Sequence, residues 1–202
     1  MKTTARTFGC RVAAAVGAFA LALVGLGGTT TTARAADLGN IDSGRTGSLL
    51  IHKHESGSQS ADGTPDGQTP SGGAGVADVV FTAYKITNLD LTTQAAWDGL
   101  KNQQVPADAC GADYASPSLG SYTFDGGTAS GSTDAQGDTT IGGLPVAAYL
   151  VCETSAPSTV KTKAAPFLVT VPFPNNSTNA ANGNGEWLYD VNVYPKNTVV
   201  LA

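Results

Sequence analysis

Histidine is nearly missing from this sequence: 202 residues hold only His52 and His54. They stand at H-x-H spacing, a start for a metal site. No cysteine or carboxylate lies nearby at ligand spacing except Glu55, which points the other way along an alternating strand. The two therefore read as a solvated outer face, and no metal site is expected. Cysteine is as scarce, with Cys10, Cys110 and Cys152 and no C-x-x-C pair. There is no glycine-rich phosphate loop, no G-x-S-x-G and no H-E-x-x-H, so the common nucleotide, hydrolase and metalloprotease chemistries have no anchor. No cofactor is implied. Nor is there an internal repeat of 20–50 residues. Helical periodicity is confined to 91–104, where Leu91, Ala95, Trp97 and Leu100 are imperfectly spaced.

Basic residues are also few, 11 against 16 acidic ones. Several of them sit in the first 35 residues, which read as a secretory signal. Lys2, Arg6 and Arg11 precede the apolar run AAAVGAFALALVGLG, and Ala33-Arg34-Ala35 forms a small-residue cleavage site. The run is shorter than the ~20 residues of a membrane span. Removal of this segment leaves seven basic and 16 acidic residues, a net charge of −9. That balance argues against a nucleic-acid partner and suits an exported protein. Cys110 and Cys152 survive cleavage. An even count in an exported chain points to one disulfide; two buried thiols are the alternative. A bridge would tie the 105–120 loop over the outer side of the strand that carries Cys152.

Downstream, 36–47 reads as a flexible polar leader. Strands are expected in GSLLIHKHE (47–55), VADVVFTAYKIT (76–87), DTTIGGLPVAAYLVCET (138–154), APFLVTVPF (165–173) and WLYDVNVYPKNTVVL (187–201). Long loops rich in Gly, Ser, Asp and Asn separate them at 56–75 and 174–186. Short strands with many turns argue an all-β Ig-like, Greek-key sandwich with at most one short helix.

Side chains alternate across a strand. Leu49, Ile51 and Lys53 share one face, and Tyr149, Val151 and Glu153 share another. Val191, Val193 and Asn197 have one parity; Tyr194 and Lys196 have the other. A lysine, a glutamate and an asparagine thus fall on apolar faces. An isolated buried charge shifts toward neutrality, and a neutral amine is a nucleophile. If the three meet, Lys53 can attack the Asn197 carboxamide, with Glu153 shuttling protons. Otherwise Lys53 and Glu153 form an edge ion pair and Asn197 caps a turn.

WLYDVNVYPKN, with Trp187, Val193, Tyr194, Pro195, Lys196 and Asn197, resembles the pilin motif of Gram-positive, sortase-assembled major pilins. YLVCETSAP resembles their E-box-like segment, and the similarity covers nearly all of the mature chain. The resemblance implies a structural subunit, not an enzyme, in a cell-wall-attached surface pilus. Lys196 would accept the C-terminus of another subunit from a pilin-specific sortase, and other pilin subunits would be its partners. It also implies an intramolecular isopeptide bond, found in some members, between Lys53 and Asn197 and promoted by Glu153. Full-length members continue through further domains to LPxTG, an apolar span and a basic tail. Residues 48–202 therefore read as the N-terminal pilin domain alone, able to accept a subunit but not to be donated. A second reading is an exported adhesin that binds a host glycan or protein through its two long loops.

Overall fold

The computed structural model describes residues 38–56, 63–70, 72–175 and 186–199, with backbone only at 197–199. Two sheets face each other. The first is ordered β11-β1-β5, from Asp190–Val193, Thr46–His52 and Asp138–Pro145. The second is β4-β3-β6-β8, from Thr128–Ala129, Val80–Lys85, Ala147–Ser155 and Phe167–Val171. Alternation explains the core between them. Leu49, Ile51, Ile141, Leu144 and Val191 point inward from the first sheet. Phe81, Ala83, Tyr149, Val151, Val169 and Val171 meet them from the second. Fully burying each Val, Leu, Ile or Phe contributes ~1.5–3 kcal/mol.

β6 is buried on both faces, which its unbroken run of apolar residues allows. Its outer face, Leu150 and Cys152, is covered by Ala109 and Cys110 from the 105–120 loop. Cys110 and Cys152 form the disulfide. Farther along the same side lies the one α-helix of the described residues, α1 (Gln94–Lys101), buried through Ala96 and Leu100 against Ile86 and Ala148. Thr93 caps it by accepting the Ala96 N–H at 3.4 Å. Residues 121–124 form no strand; Phe124 makes an isolated bridge with Ile86.

The last expected strand is divided. β10 (Trp187–Leu188) pairs with β9 (Phe173–Pro174), and β11 follows at Asp190. After Tyr194 and Pro195 the chain resumes as β12 (Lys196–Val199). β12 lies between β2 (His54–Glu55) and β7 (Val160–Thr162) in a small third sheet. Proline has no N–H for a ladder, so the change of partners falls there. The first expected strand divides at the corresponding place: β1 ends at His52 and β2 begins at His54. Lys53 is the hinge between them. Within the span read as a leader, Ile41 is buried and the Asp42 N–H donates to the Tyr189 hydroxyl at 2.8 Å. The Arg45 guanidinium lies 4.0 Å over the Tyr189 ring.

Candidate functional site

Lys53 is fully buried. Its backbone is gripped from two sides: its N–H donates to Gly137 O at 2.7 Å, and its carbonyl accepts from Val76 N at 2.9 Å. Gly137, at φ +84°, approaches so closely that a Cβ there would overlap the Lys53 carbonyl. This packing fixes the lysine as the strand changes sheets, and the side chain stays on the Leu49–Ile51 face.

The Lys53 amine stands 3.4 Å from Glu153 Oε2, and Glu153 is itself buried. The amine makes no aligned hydrogen bond among the described residues. Glu153 is held independently, its Oε2 accepting the Ala164 N–H at 3.0 Å. Phe81 completes the wall, its ring centroid 6.0 Å from the amine. Burial pushes the Lys53 amine down to about 8; the Glu153 carboxylate opposes only part of that shift. An amine with this value is more readily neutral than an exposed lysine. The site therefore brings an amine shifted toward its neutral form and a carboxylate together in a water-poor core.

The third predicted member enters from β12. Asn197 pairs with Glu55 in a parallel register, two residues after Lys53. Its backbone thus passes beside the strand that carries Lys53. The Asn197 carboxamide lies outside the described residues.

Lys196 precedes it and pairs with His54. Its side chain is half-buried, whereas Val191 and Pro195 are buried. The strand end that leads into Lys196 holds a cluster that sequence reading missed. The ring of His52 stacks on Tyr194, centroids 5.0 Å apart. His52 Nδ1 meets Asp138 Oδ1 at 2.7 Å and Nε2 meets Asn192 Oδ1 at 2.8 Å. The described part of the 56–75 loop lies over this cluster. Asn192 donates its N–H to Pro65 O at 2.9 Å, and the Tyr194 hydroxyl donates to Thr64 O at 3.1 Å. Gly63 sits so close to the Tyr194 ring that any side chain there would overlap it. His52 and His54 are accordingly half-buried, not a solvated face. The only sequence signals were the Pro65-Asp66-Gly67 turn and the polar Asn192 within an alternating strand.

Trp187 begins the motif and packs on Trp97 of α1, ring centroids 5.2 Å apart. Val193 lies at the margin of the main core. Among the described residues there is no cluster of three or more metal-ligating side chains. No helix among them is long and apolar enough to cross a membrane.

Residues 44–198 match the model of the Gram-positive pilin subunit D1, N-terminal domain. The chain is 45% identical over 204 aligned residues to fimbrial subunit type 2 of Actinomyces naeslundii, covering 98% of this chain and 37% of that protein. It resembles the solved fimbrial protein FimP from Actinomyces oris, with a TM-score of 0.55 and 31% identity, over 78% of this chain and 30% of that one. It also resembles the major pilin SpaA of Corynebacterium diphtheriae, with a TM-score of 0.50 and 28% identity, over 77% of this chain and 31% of that one. The SpaA structure points to a modular pilus assembly and stabilising isopeptide bonds. The chain spans about a third of the length of each of these relatives. A matched Ig-like sandwich, and a match covering most of the chain, make it a member of the Gram-positive pilin D1 N-terminal domain family, a family of structural subunits and not of enzymes.

Proposed function

We propose that this domain is a building unit of a covalently joined surface pilus and that Lys196 is its acceptor amine. The observation that carries this reading is the contrast between neighbouring positions where β12 begins. Pro195 is buried, while Lys196 is half-exposed at the start of the strand, two residues after Tyr194, which stacks on His52. A pilin-specific sortase would hold the donor subunit as a thioester. The Lys196 amine attacks that carbonyl, a C–N bond forms, the C–S bond breaks and the thiolate leaves. Export is supported by the signal peptide read over 1–35, and surface display by the match to fimbrial subunits. The test is transfer of a sorting-signal peptide to the mature chain by a pilin-polymerising sortase, with mapping of the linked residue. Linkage at any other lysine in place of Lys196 overturns the assignment.

The same strand supports an internal bond. Lys53 Nζ attacks the Asn197 carboxamide carbon, ammonia departs, and Glu153 carries the proton from amine to leaving group. The sealed Lys53–Glu153 pair supports it, as does the backbone passage of Asn197 beside β2. Intact mass of the mature chain decides: the bonded chain is lighter by one ammonia than its sequence with the disulfide formed.

The adhesin reading drew on two loops. Residues 63–70 of the first are bonded to the strand end beside Lys196. Most of the second lies outside the described residues.

A further inference from the structure

A proton carrier works within hydrogen-bond reach of both groups it serves, so the Glu153 carboxylate must be held in place. We propose that Lys163 is the positioning residue that does so. The proposal rests on the reading of an internal bond between Lys53 and Asn197.

The need for such a residue comes from a gap in the second sheet. β8 pairs with β6 from Ala147 to Val151. The register would next set Pro166 opposite Cys152, and proline has no N–H to continue the ladder. Glu153 and Thr154 therefore lie beyond the end of that pairing. Two side-chain bonds stand there instead, and they are reciprocal. The Glu153 carboxylate accepts the Ala164 N–H at 3.0 Å, and the Lys163 amine donates to the Thr154 carbonyl at 3.0 Å. Adjacent residues of one segment thus grip adjacent residues of the other. The first bond orients the carboxylate. The second keeps the backbone that supplies the N–H against β6.

The oxygen held in this way is the one that matters. Oε2 accepts from Ala164 and is also the atom 3.4 Å from the Lys53 amine. A shift of the 163–164 segment therefore moves the oxygen that meets the nucleophile.

The grip is backed from the 105–120 loop. The Tyr114 ring lies 4.2 Å from the Lys163 amine, and a ring face attracts a cation. Tyr114 holds φ +59°, a left-handed backbone that non-glycine residues seldom adopt. The disulfide from Cys110 ties the same loop to Cys152, and the Tyr84 hydroxyl donates to Ala115 O at 3.2 Å. Cys152, Glu153 and Thr154 are thus anchored in turn by a sulfur, a backbone N–H and an amine. Only a side chain that is both cation and donor can serve the ring and the carbonyl together.

The chemistry is that of the internal bond. Lys53 Nζ bonds to the Asn197 carboxamide carbon, the bond to the amide nitrogen breaks, and Glu153 passes one amine proton to the departing ammonia.

The test follows ammonia loss by intact mass in the mature chain, made by cell-free synthesis under oxidising conditions. Lys163→Met keeps the length of the side chain but has neither charge nor donor. Its rate of bond formation should fall about tenfold or more. Lys163→Arg keeps both and should recover most of the wild-type rate. An arginine variant as slow as the methionine one overturns the proposal. A wild-type chain that never loses ammonia sinks the internal-bond reading and this proposal together; ammonia lost equally fast from wild type and Lys163→Met sinks this proposal alone. A second readout separates positioning from mere loss of stability. In Asn197→Ala, where no bond forms, the Ala164 amide proton should resonate at low field and exchange slowly. Adding Lys163→Met should move it upfield and speed its exchange, and Lys163→Arg should restore both. An amide that the methionine leaves unmoved overturns the proposal. Should Lys163→Met fail to fold, Tyr114→Leu takes its place. It removes the ring face beside the amine, and should slow the bond and shift the Ala164 amide in the same directions. No change in either overturns the proposal.

Discussion

Lys53 and Lys196 belong to strands that meet at one end of the sandwich, yet their surroundings are opposite. Lys53 is sealed between two sheets with Glu153 for company and a phenylalanine ring behind it. Lys196 stands on the margin, half-exposed and beside an imidazole. Burial lowers the Lys53 amine to about 8. The comparison teaches that one residue type can meet two environments according to the face on which it emerges. Under the proposed function, the inner lysine would need no enzyme, because desolvation readies it. The outer one stays in water and would need a partner to bring the electrophile.

The strongest way to break this contrast is to remove the outer amine. Lys196→Arg should abolish sortase-dependent linkage altogether, read as loss of the higher-mass product. It should leave stability within about ±0.5 kcal/mol, as expected for a side chain outside the core.

Removing the inner carboxylate should do the reverse. Glu153→Ala leaves a charge without its counter-ion, which costs ~3–5 kcal/mol. The measurement is denaturant unfolding in a background of Asn197→Ala, where no internal bond can form. In the wild-type background the same change should stop the loss of ammonia in intact mass. Linkage at Lys196 should persist wherever the variant stays folded.

The disulfide lies outside both sites but on the strand that holds Glu153. Its cysteines are 42 residues apart. Replacing both with serine should cost about 2–4 kcal/mol in thermal or denaturant unfolding. It should also slow internal bond formation more than linkage at Lys196.

The finest test is pH. In Asn197→Ala the Lys53 amine titrates near 8 when folded and near its ordinary 10.5 when unfolded. Below pH 8 both states hold the proton, and the folded state carries the full cost of burying it. Between 8 and 10.5 the unfolded chain binds more protons, so stability should rise with pH, by roughly 3 kcal/mol in all. Unfolding against pH, compared with a chain also carrying Lys53→Met and Glu153→Leu, isolates the effect. A flat difference would show that Lys53 titrates as an exposed lysine.

Much of this was legible beforehand for one reason: strand parity is local. Leu49, Ile51 and Lys53 on one face, and Tyr149, Val151 and Glu153 on another, follow from alternation alone. Cys152 opposite Glu153 follows likewise. What alternation cannot report is a change of partner. The hinges at Lys53 and at Tyr194–Pro195 arise from which strands lie alongside. So does the docking of 63–70 onto Asn192 and Tyr194, since those contacts span more than 120 positions in the chain. His52 and His54 were misjudged as solvated because nothing local shows the loop above the one or the strand beside the other.

The sequence by itself determined the β class, the inward faces, the available cysteine pair and the lysine–asparagine sequence at the strand end. These depend on side-chain period and composition. Only the tertiary structure decided that Lys53 loses its water beside Glu153 and that His54 stands level with Lys196. Desolvation and register are properties of neighbours distant along the chain, and no run of adjacent residues contains them.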